Sequence, residues 1–415
     1  MISVVEFILW DLFDQIRSQL RSWRLVQGLL TAQLVLAVVA VSAQLGLPQA
    51  AAAPRKPGPM AAVQAKAQAR AGLPLIMIAT HAPPPRPTPG PPALQARLEQ
   101  IAADYREDVG IAVSRVDQGW VAGVGGERLY PQQSVSKTWV ALSVLEAVDR
   151  GRLRLDQVVW MRPEDRSVFF QPMAEKIGDT GYATTVGELL RHALINSDNS
   201  ANDRLITLLG GVEQVRKVLA AKGLAAGIRL GADERDLQAA IAGMTWKPEY
   251  GYNGAFKAAR LLVSDEVRNA ATRRYIDDPL DGASPTTIAQ ALAALHRGEL
   301  LSPSSSALMM AIMSQARTGP RRLRGGLPEG WTIAHKTGTG QDWRGGSIGI
   351  NDVALITAPD GRAYSVAVMI RNTRKGTPAR LAMMQEVSKA VVEDWEASRR
   401  QPPPADSFPR PVLAP

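Results

Sequence analysis

The chain of 415 residues contains no cysteine, which excludes a thiol nucleophile, a disulfide framework and a thiolate metal site. Only four histidines are present, isolated from one another and without HxH or HExxH spacing. A histidine-rich zinc centre and a triad of serine, histidine and aspartate are therefore not expected. The sequence implies neither a metal nor an organic cofactor.

The positive charge of the chain is unevenly distributed. The formal net charge is +9, but residues 1–92 hold eight Lys or Arg against three acidic residues, so +5 belongs to this N-terminal part. The remaining +4 is spread over more than 300 residues, which is too little for a nucleic-acid-binding surface. We therefore expect no nucleic-acid partner.

The N-terminal region has the pattern of an export segment. Residues 25–54 contain no charged side chain and follow three arginines. Cleavage among the small residues 49–53 would make residues 1–53 a signal peptide, whereas retention would leave a membrane anchor at residues 25–47. Both alternatives predict an exported, periplasmic or extracytoplasmic protein, and retention predicts one tethered to the inner membrane.

The composition then divides the rest of the chain into three parts. Residues 54–92 are rich in proline and alanine, which predicts an extended linker. A folded domain is expected over residues 93–400, followed by a proline-rich tail at 401–415. Apolar alternation predicts strands near both ends of the domain, at 109–116, 120–124, 332–336, 348–357 and 363–371. Helical spacing predicts helices at 93–106, 136–148, 211–222, 285–297, 303–313 and 377–397.

Three short motifs occur in order: Ser134-Val135-Ser136-Lys137, Ser197-Asp198-Asn199 and Lys336-Thr337-Gly338. Each alone is weak evidence, but all three together are expected by chance in well under about one chain in a thousand. A serine hydroxyl is a weak nucleophile, and Lys137 lies on the same helix face as Ser134, where it can act as the base. Because Ser134 lies where a loop becomes a helix, free backbone amides favour an oxyanion there.

The other two motifs supply the remaining groups that acyl transfer needs. Lys336 provides a second cation, which lowers the pKa of a buried lysine nearby and attracts an anionic substrate. Ser197 can relay a proton to the leaving nitrogen. Asn199 can hold a substrate amide through its donor and its acceptor. The motifs therefore predict a serine hydrolase that works without a histidine.

With these motifs the sequence resembles the serine β-lactamase and penicillin-binding protein superfamily, and most closely the class A β-lactamases, over about residues 93–398. The resemblance implies an α+β fold with two lobes. One lobe is an antiparallel sheet flanked by N- and C-terminal helices, the other is all-helical, and the site lies between them.

The resemblance also assigns the substrate-binding groups. The amides of the nucleophile and of Thr339 would form the oxyanion hole, and the hydroxyls of Thr337 and Thr339 would meet the substrate carboxylate beside Gly338. A carboxylate-binding arginine falls on Arg322. Phe170 falls where the family places an aromatic at the site entrance, the alternative being an aromatic packed under a loop.

Deacylation needs a carboxylate that activates water. Residues 229–238 resemble the Ω-loop of class A enzymes and place Glu234 as that base, with a solvated glutamate as the alternative. Asp233 and Asp236 are competing candidates. The family has asparagine where this chain has Gln238, so support for the carboxylate differs here.

The chain is longer than a typical class A enzyme by about 34 residues after Glu234. This insert, at about residues 242–281, either lines the site or stabilises the surface with aromatic side chains tucked inward. Its aromatic residues are Trp246, Tyr250, Tyr252, Phe256 and Tyr275.

These observations predict a monomeric serine β-lactamase that opens the lactam amide through an acyl-enzyme on Ser134 and contributes to antibiotic breakdown. A D,D-carboxypeptidase or penicillin-binding acyl transferase acting on D-Ala-D-Ala peptides is the first alternative. The second is a sensor that is acylated by β-lactams without hydrolysing them.

Overall fold

A computed structural model describes residues 88–252 and 254–400. The predicted signal or anchor segment, most of the linker and the proline-rich tail lie outside the described residues. Within the described part of the chain, no helix combines the length and the apolarity that crossing a membrane requires.

The centre of the domain is an antiparallel sheet built from both ends of the domain. Its strands are β1 (Val109–Arg115), β2 (Val121–Val124), β7 (Thr332–Gly338), β8 (Asp342–Trp343), β9 (Gly346–Thr357) and β10 (Ala363–Thr373). They lie in the order β2-β1-β10-β9-β7, and β8 pairs with β9. Strand β1 pairs with β10 from Val109 opposite Ile370 to Arg115 opposite Tyr364. All residues of β1 are buried, as expected for a strand in the middle of a sheet covered on both faces.

Two short two-stranded sheets fasten loops around this centre. Their strands are β3 (Tyr130–Pro131), β4 (Val158–Met161), β5 (Tyr182–Thr185) and β6 (Gly282–Ala283). In one sheet β3 pairs with β6, and in the other β4 pairs with β5. The β3–β6 pair joins the chain just before Ser134 to the end of the insert, so the insert is tied to the nucleophile loop.

The first and last helices of the domain cover one face of the sheet. These are α1 (Pro92–Tyr105) and α11 (Thr377–Arg400), whose apolar faces share a core with β1, β9 and β10. Leu98 and Val387 are fully buried in that core. Burial of a leucine or valine side chain contributes about 1.5–3 kcal/mol, so this layer is a major source of stability.

The helical lobe lies against the opposite face of the sheet. It surrounds α2, which is buried along almost its whole length, and Trp139 and Leu142 lie at its centre. Its helices are α2 (Lys137–Asp149), α3 (Val186–Arg191), α4 (Asn199–Leu209), α5 (Val212–Ala221), α6 (Glu234–Ile241), α9 (Pro285–His296) and α10 (Pro303–Ser314). The predicted α+β fold with two lobes is confirmed.

The folded domain begins before residue 93. The Gly90 amide donates to the Val121 carbonyl at 2.9 Å, and Pro89 bridges the same residue. Pro92 is the first residue of α1, where its fixed φ suits a helix and its missing N–H costs no hydrogen bond. Residues 88–90, which composition assigned to the linker, thus pair with the edge of the sheet, and Pro91 and Pro92 lead into α1.

The insert contains two helices that local patterning did not predict, α7 (Ala255–Leu262) and α8 (Asp265–Asp277). Phe256 of α7 is buried, and its ring meets those of Phe169 and Tyr250 edge-on at 5.2 and 6.0 Å. Tyr275 of α8 is also buried, while Tyr252 is 39% exposed. Most insert aromatics therefore pack inward, as one of the two alternatives predicted.

Candidate active site

Ser134 lies in a short 3-10 turn, Gln133–Ser136, which runs directly into α2. Lys137 begins that helix, is completely buried, and donates from Nζ to Ser134 Oγ at 2.9 Å. Gln133, directly before Ser134, has a φ of 53°, a left-handed conformation that costs energy for a residue with a side chain. Its amide donates to Asp281 Oδ2 at 2.7 Å, which holds that conformation.

Glu234 lies opposite the lysine, at the start of α6. Lys137 Nζ also donates to Glu234 Oε2 at 2.9 Å, so one ammonium contacts both the serine and the carboxylate. Glu234 is only 5% exposed, which excludes the alternative of a solvated glutamate. Asp233 caps the helix by accepting from the Asp236 amide, and Asp236 itself is exposed. Neither aspartate contacts Ser134 or Lys137.

Gln238 holds the second oxygen of the carboxylate. Its Nε2 donates to Glu234 Oε1 at 2.9 Å and to Gln133 Oε1 at 2.8 Å. Its own Oε1 accepts from Gln341 at 2.8 Å, which fixes the orientation of the amide. Gln238 therefore supplies a hydrogen-bond donor to Glu234, although the family has asparagine at this position.

The hydrogen-bond network continues from Gln133 into the insert. Gln133 Nε2 donates to the Tyr275 hydroxyl at 2.5 Å, and that hydroxyl donates to Asp281 Oδ1 at 2.8 Å. Burial raises the pKa of Asp281 to about 7, and burial beside this carboxyl raises the pKa of Tyr275. The sequence analysis missed Gln133 and Asp281 and flagged Tyr275 only as an aromatic.

A third polar residue missed by the sequence analysis supports the start of α6. Asp203 is buried in α4 and accepts from the Glu234 amide at 2.9 Å and from Ser167 Oγ at 2.6 Å. Burial and the charge of Asp233 raise the pKa of Asp203 to about 7. Its position five residues beyond Asp198 in the second motif was the only available signal.

Lys336, on strand β7, lies on the other side of the site. Its Nζ donates to Ser197 Oγ and to the Thr337 carbonyl, both at 2.9 Å. Burial and the charge of Lys137 hold the pKa of the Lys336 ammonium well below its ordinary value. Ser197 has a φ of 61° at the turn before α4, where Asp198 caps the helix by accepting from the Ala201 amide at 2.9 Å.

Asn199 and Phe170 are joined by a backbone hydrogen bond. The Asn199 amide donates to the Phe170 carbonyl at 3.0 Å, and Asn199 Nδ2 donates to the Val168 carbonyl at 2.6 Å. The Phe170 side chain is 58% exposed at the rim of the site. It is therefore not packed under a loop.

Arg322 lies beneath the end of β7. Its Nη1 donates to the carbonyls of Gly338 and Asn351 at 2.9 and 2.6 Å, and its Nη2 donates to Thr339 Oγ1 at 2.7 Å. Burial lowers the pKa of this guanidinium. The charge is thus held against one of the two threonines that the resemblance assigns to the substrate carboxylate.

A cavity of about 610 Å³ joins these groups. Of the sequence-predicted residues, it is lined by Ser134, Phe170, Ser197, Asn199, Glu234, Arg322, Thr337 and Thr339. Lys137 and Lys336 are buried and bonded to lining serines, and a Cβ on Gly338 would lie 2.3 Å from the Gln132 carbonyl oxygen. The insert adds Lys257 and Arg260 to the lining. Among the residues described here, no cluster of three potential metal ligands occurs.

The fold and this geometry define a serine acyl-transfer enzyme with a lysine beside its nucleophile. Residues 93–395 match the family model described as the beta-lactamase enzyme family, and the chain belongs to that family.

Individual beta-lactamases are similar to this chain in sequence and in structure. Beta-lactamase VEB-1 and extended-spectrum beta-lactamase PER-1, both from Pseudomonas aeruginosa, are 25% and 27% identical to it. These alignments cover 71% and 73% of this chain and 88% and 87% of the relatives. The crystal structure of a beta-lactamase from Chitinophaga pinensis superposes with a TM-score of 0.59 at 27% identity, covering 74% of this chain and 99% of that one.

Proposed function

We propose that this protein is a serine β-lactamase that hydrolyses its substrate through an acyl-enzyme on Ser134. One observation carries the proposal: Lys137 Nζ lies 2.9 Å from both Ser134 Oγ and Glu234 Oε2. Acylation needs a base beside the serine, and hydrolysis of the acyl-enzyme needs a carboxylate beside the same serine. Family membership and the beta-lactamases among its relatives support the same activity.

In the acylation step, Lys137 first gives a proton to Glu234 Oε2, and the neutral amine then takes the proton of Ser134 Oγ as that oxygen attacks the lactam carbonyl. The developing oxyanion is stabilised by the amides of Ser134 and Thr339, and the substrate carboxylate lies against Thr337 and Thr339 above Arg322. Ser197, which accepts a hydrogen bond from Lys336, passes its hydroxyl proton to the leaving nitrogen, and the proton held on Glu234 then replaces it, which restores the carboxylate for deacylation. The carbon–nitrogen bond breaks and the ring opens, leaving the acyl ester on the serine.

In the deacylation step, Glu234 takes a proton from a water molecule that attacks the ester carbon. Its Oε1 is oriented by Gln238, and its Oε2 by Lys137. The proton returns to Ser134 Oγ as the ester bond breaks. An enzyme lacking this base would stop at the acyl-enzyme.

The test is a time course of intact mass after mixing the folded domain with a chromogenic cephalosporin, with absorbance recorded in parallel. We expect a transient adduct with many turnovers. Ser134→Ala should give neither adduct nor turnover, Glu234→Gln should accumulate a long-lived adduct, and Asp236→Asn, an exposed acid on the same helix, should behave as wild type.

Each of the other outcomes points to a different class of protein. A persistent one-to-one adduct in the wild type would overturn hydrolysis in favour of a penicillin-binding or sensor protein. Release of D-alanine from a D-Ala-D-Ala peptide would favour a carboxypeptidase. Rapid turnover by the Glu234 variant would reject this deacylation base.

We further propose that the protein acts outside the cytoplasm as a monomer, exported by its N-terminal segment. The uncharged run at residues 25–54 behind three arginines supports export. Fractionation of cells producing the full chain tests this: a soluble periplasmic form shortened by about 50 residues indicates cleavage, and a full-length membrane form indicates the anchor at residues 25–47. Recovery in the cytoplasm would refute export, and sedimentation of the purified protein tests the monomer.

A further inference from the structure

Helix α7 of the insert presents two cationic side chains to the active-site cavity. Lys257 and Arg260 lie three residues apart, so they share one face of the helix, and both line the cavity that contains Ser134. The helix is fixed beside the site by the buried ring of Phe256, which packs edge-on against Phe169 at 5.2 Å. The packing of Phe256 therefore fixes the position of the helix, with Arg260 half-buried against the cavity and Lys257 exposed at its edge.

Within the part of the chain that the structure describes, neither Lys257 nor Arg260 forms an ion pair. Arg260 Nη2 donates a hydrogen bond to the backbone carbonyl of Asp342 at 2.7 Å. Its Nε is buried without a hydrogen-bond partner. The Asp342 carboxylate also borders the cavity, where its Oδ1 accepts from Ser347 at 2.8 Å and its charge offsets part of the charge of Arg260. Because Nε is closed to solvent and Nη2 is bonded, Nη1 is the donor of this guanidinium that remains for another acceptor.

These cations are separate from those assigned to the ring carboxylate of a β-lactam. The ring carboxylate is expected to bind at Thr337 and Thr339, next to Lys336 and Arg322. Arg260 is instead bonded to the backbone carbonyl of Asp342, which follows Thr339 by three residues. In a penicillin or cephalosporin the ring carboxylate and the acylamino side chain lie on opposite sides of the reacting carbonyl. A group bound near Arg260 would accordingly belong to the side chain.

We propose that Lys257 and Arg260 bind a carboxylate on the acylamino side chain of the substrate, so that this enzyme favours β-lactams with a second negative charge. The inference rests on the proposed β-lactamase function and adds the substrate class. The attraction between a cationic side chain and a substrate carboxylate is stronger in a partly enclosed cavity than in open water, and a hydrogen bond between the two charged groups adds to it.

The test uses two penicillins that differ by one carboxylate, benzylpenicillin and α-carboxybenzylpenicillin. The second-order rate constant for acylation of Ser134 is measured for each by intact mass at low salt, and the ratio of the two is compared among variants. The variants are Lys257→Gln, Arg260→Gln and the double substitution. Lys247→Gln and Arg273→Gln, exposed cations of the same insert that do not line the cavity, are the matched controls.

The double variant should lower the preference for the dianionic penicillin about five- to twentyfold and reduce the salt dependence of that preference. The controls should leave the ratio unchanged. A ratio that the double variant does not alter, while both penicillins still acylate Ser134, would overturn this inference alone. Failure of both penicillins to acylate the wild type would overturn the β-lactamase function together with it.

Discussion

The hydroxyl of Tyr275 connects the insert to Glu234 through the side chains of Gln133 and Gln238. The substitution Tyr275→Phe removes this hydroxyl and no other atom. The hydroxyl accepts from Gln133 Nε2 and donates to Asp281 Oδ1, and all three residues are buried. Each buried group left without a partner costs about 1–3 kcal/mol. Because Asp281 keeps its bond from the Gln133 amide, we expect a total loss of about 2–4 kcal/mol, or roughly 3–6 °C in Tm for a domain of this size.

The same substitution should slow deacylation more than acylation. Gln133 Oε1 and Glu234 Oε1 both accept from Gln238 Nε2, so a Gln133 side chain released from Tyr275 no longer fixes the amide that orients the carboxylate. A loss of about 1.4 kcal/mol in that orientation corresponds to a tenfold slower step. Acylation relies on the bond between Lys137 and Ser134, which the substitution does not touch.

Thermal unfolding gives the stability change, and intact mass during steady-state turnover gives the fraction of acyl-enzyme. We expect that fraction to rise in Tyr275→Phe at every substrate concentration. Tyr252→Phe, at an exposed tyrosine of the same insert, is the control and should change neither quantity. A Tm within about 1 °C of wild type together with an unchanged acyl-enzyme fraction would refute the reasoning.

Three further substitutions test other parts of the site. The folded pKa of Asp281, raised to about 7, makes folding bind a proton between about pH 4 and 7, so stability falls as pH rises through that range. Asp281→Asn should remove roughly half of this fall between pH 5 and 8 in urea unfolding, since Asp203 titrates in the same direction, and an unaltered pH dependence would contradict the assignment. Arg322→Ala removes three hydrogen bonds and the charge beneath Thr339, so KM should rise about tenfold with a smaller change in kcat. Gln238→Leu should slow deacylation about tenfold in single-turnover assays while the acylation rate stays within a factor of two.

Patterns that act over a few residues predicted most of the fold. Strand β1 was expected at 109–116 and lies at Val109–Arg115, because uninterrupted apolar residues suit a strand buried on both faces. Helix α9 was expected at 285–297 and lies at Pro285–His296, where Ser284 caps the first turn. The three motifs also converge on one cavity, since each places its side chain at the start of a helix or the end of a strand.

Contacts between distant residues were not available from such patterns. Gln133 meets Tyr275 and Asp281 across 142 and 148 residues, and nothing near any of the three signals the pairing. The helices of the insert escaped prediction because α8 is mostly polar, with only four buried side chains, and α7 has only one. The effect of Gln238 on Glu234 likewise required the position of Gln341, which fixes its amide.

The pairing of β1 with β10 also bears on how the protein reaches its native state. Val109 and Ile370 are partners in the sheet although 261 positions separate them, and the whole helical lobe lies between them in the chain. Such a contact closes only after a large entropy loss, so folding is expected to be slow and to finish late. Lys336 lies on β7 and Thr339 directly follows it, and β7 is connected to β1 in the sheet through β9 and β10. A chain still lacking β10 would therefore hold Ser134 and Lys137 without the opposite wall of the cavity, and activity would appear only once the last strand is in place.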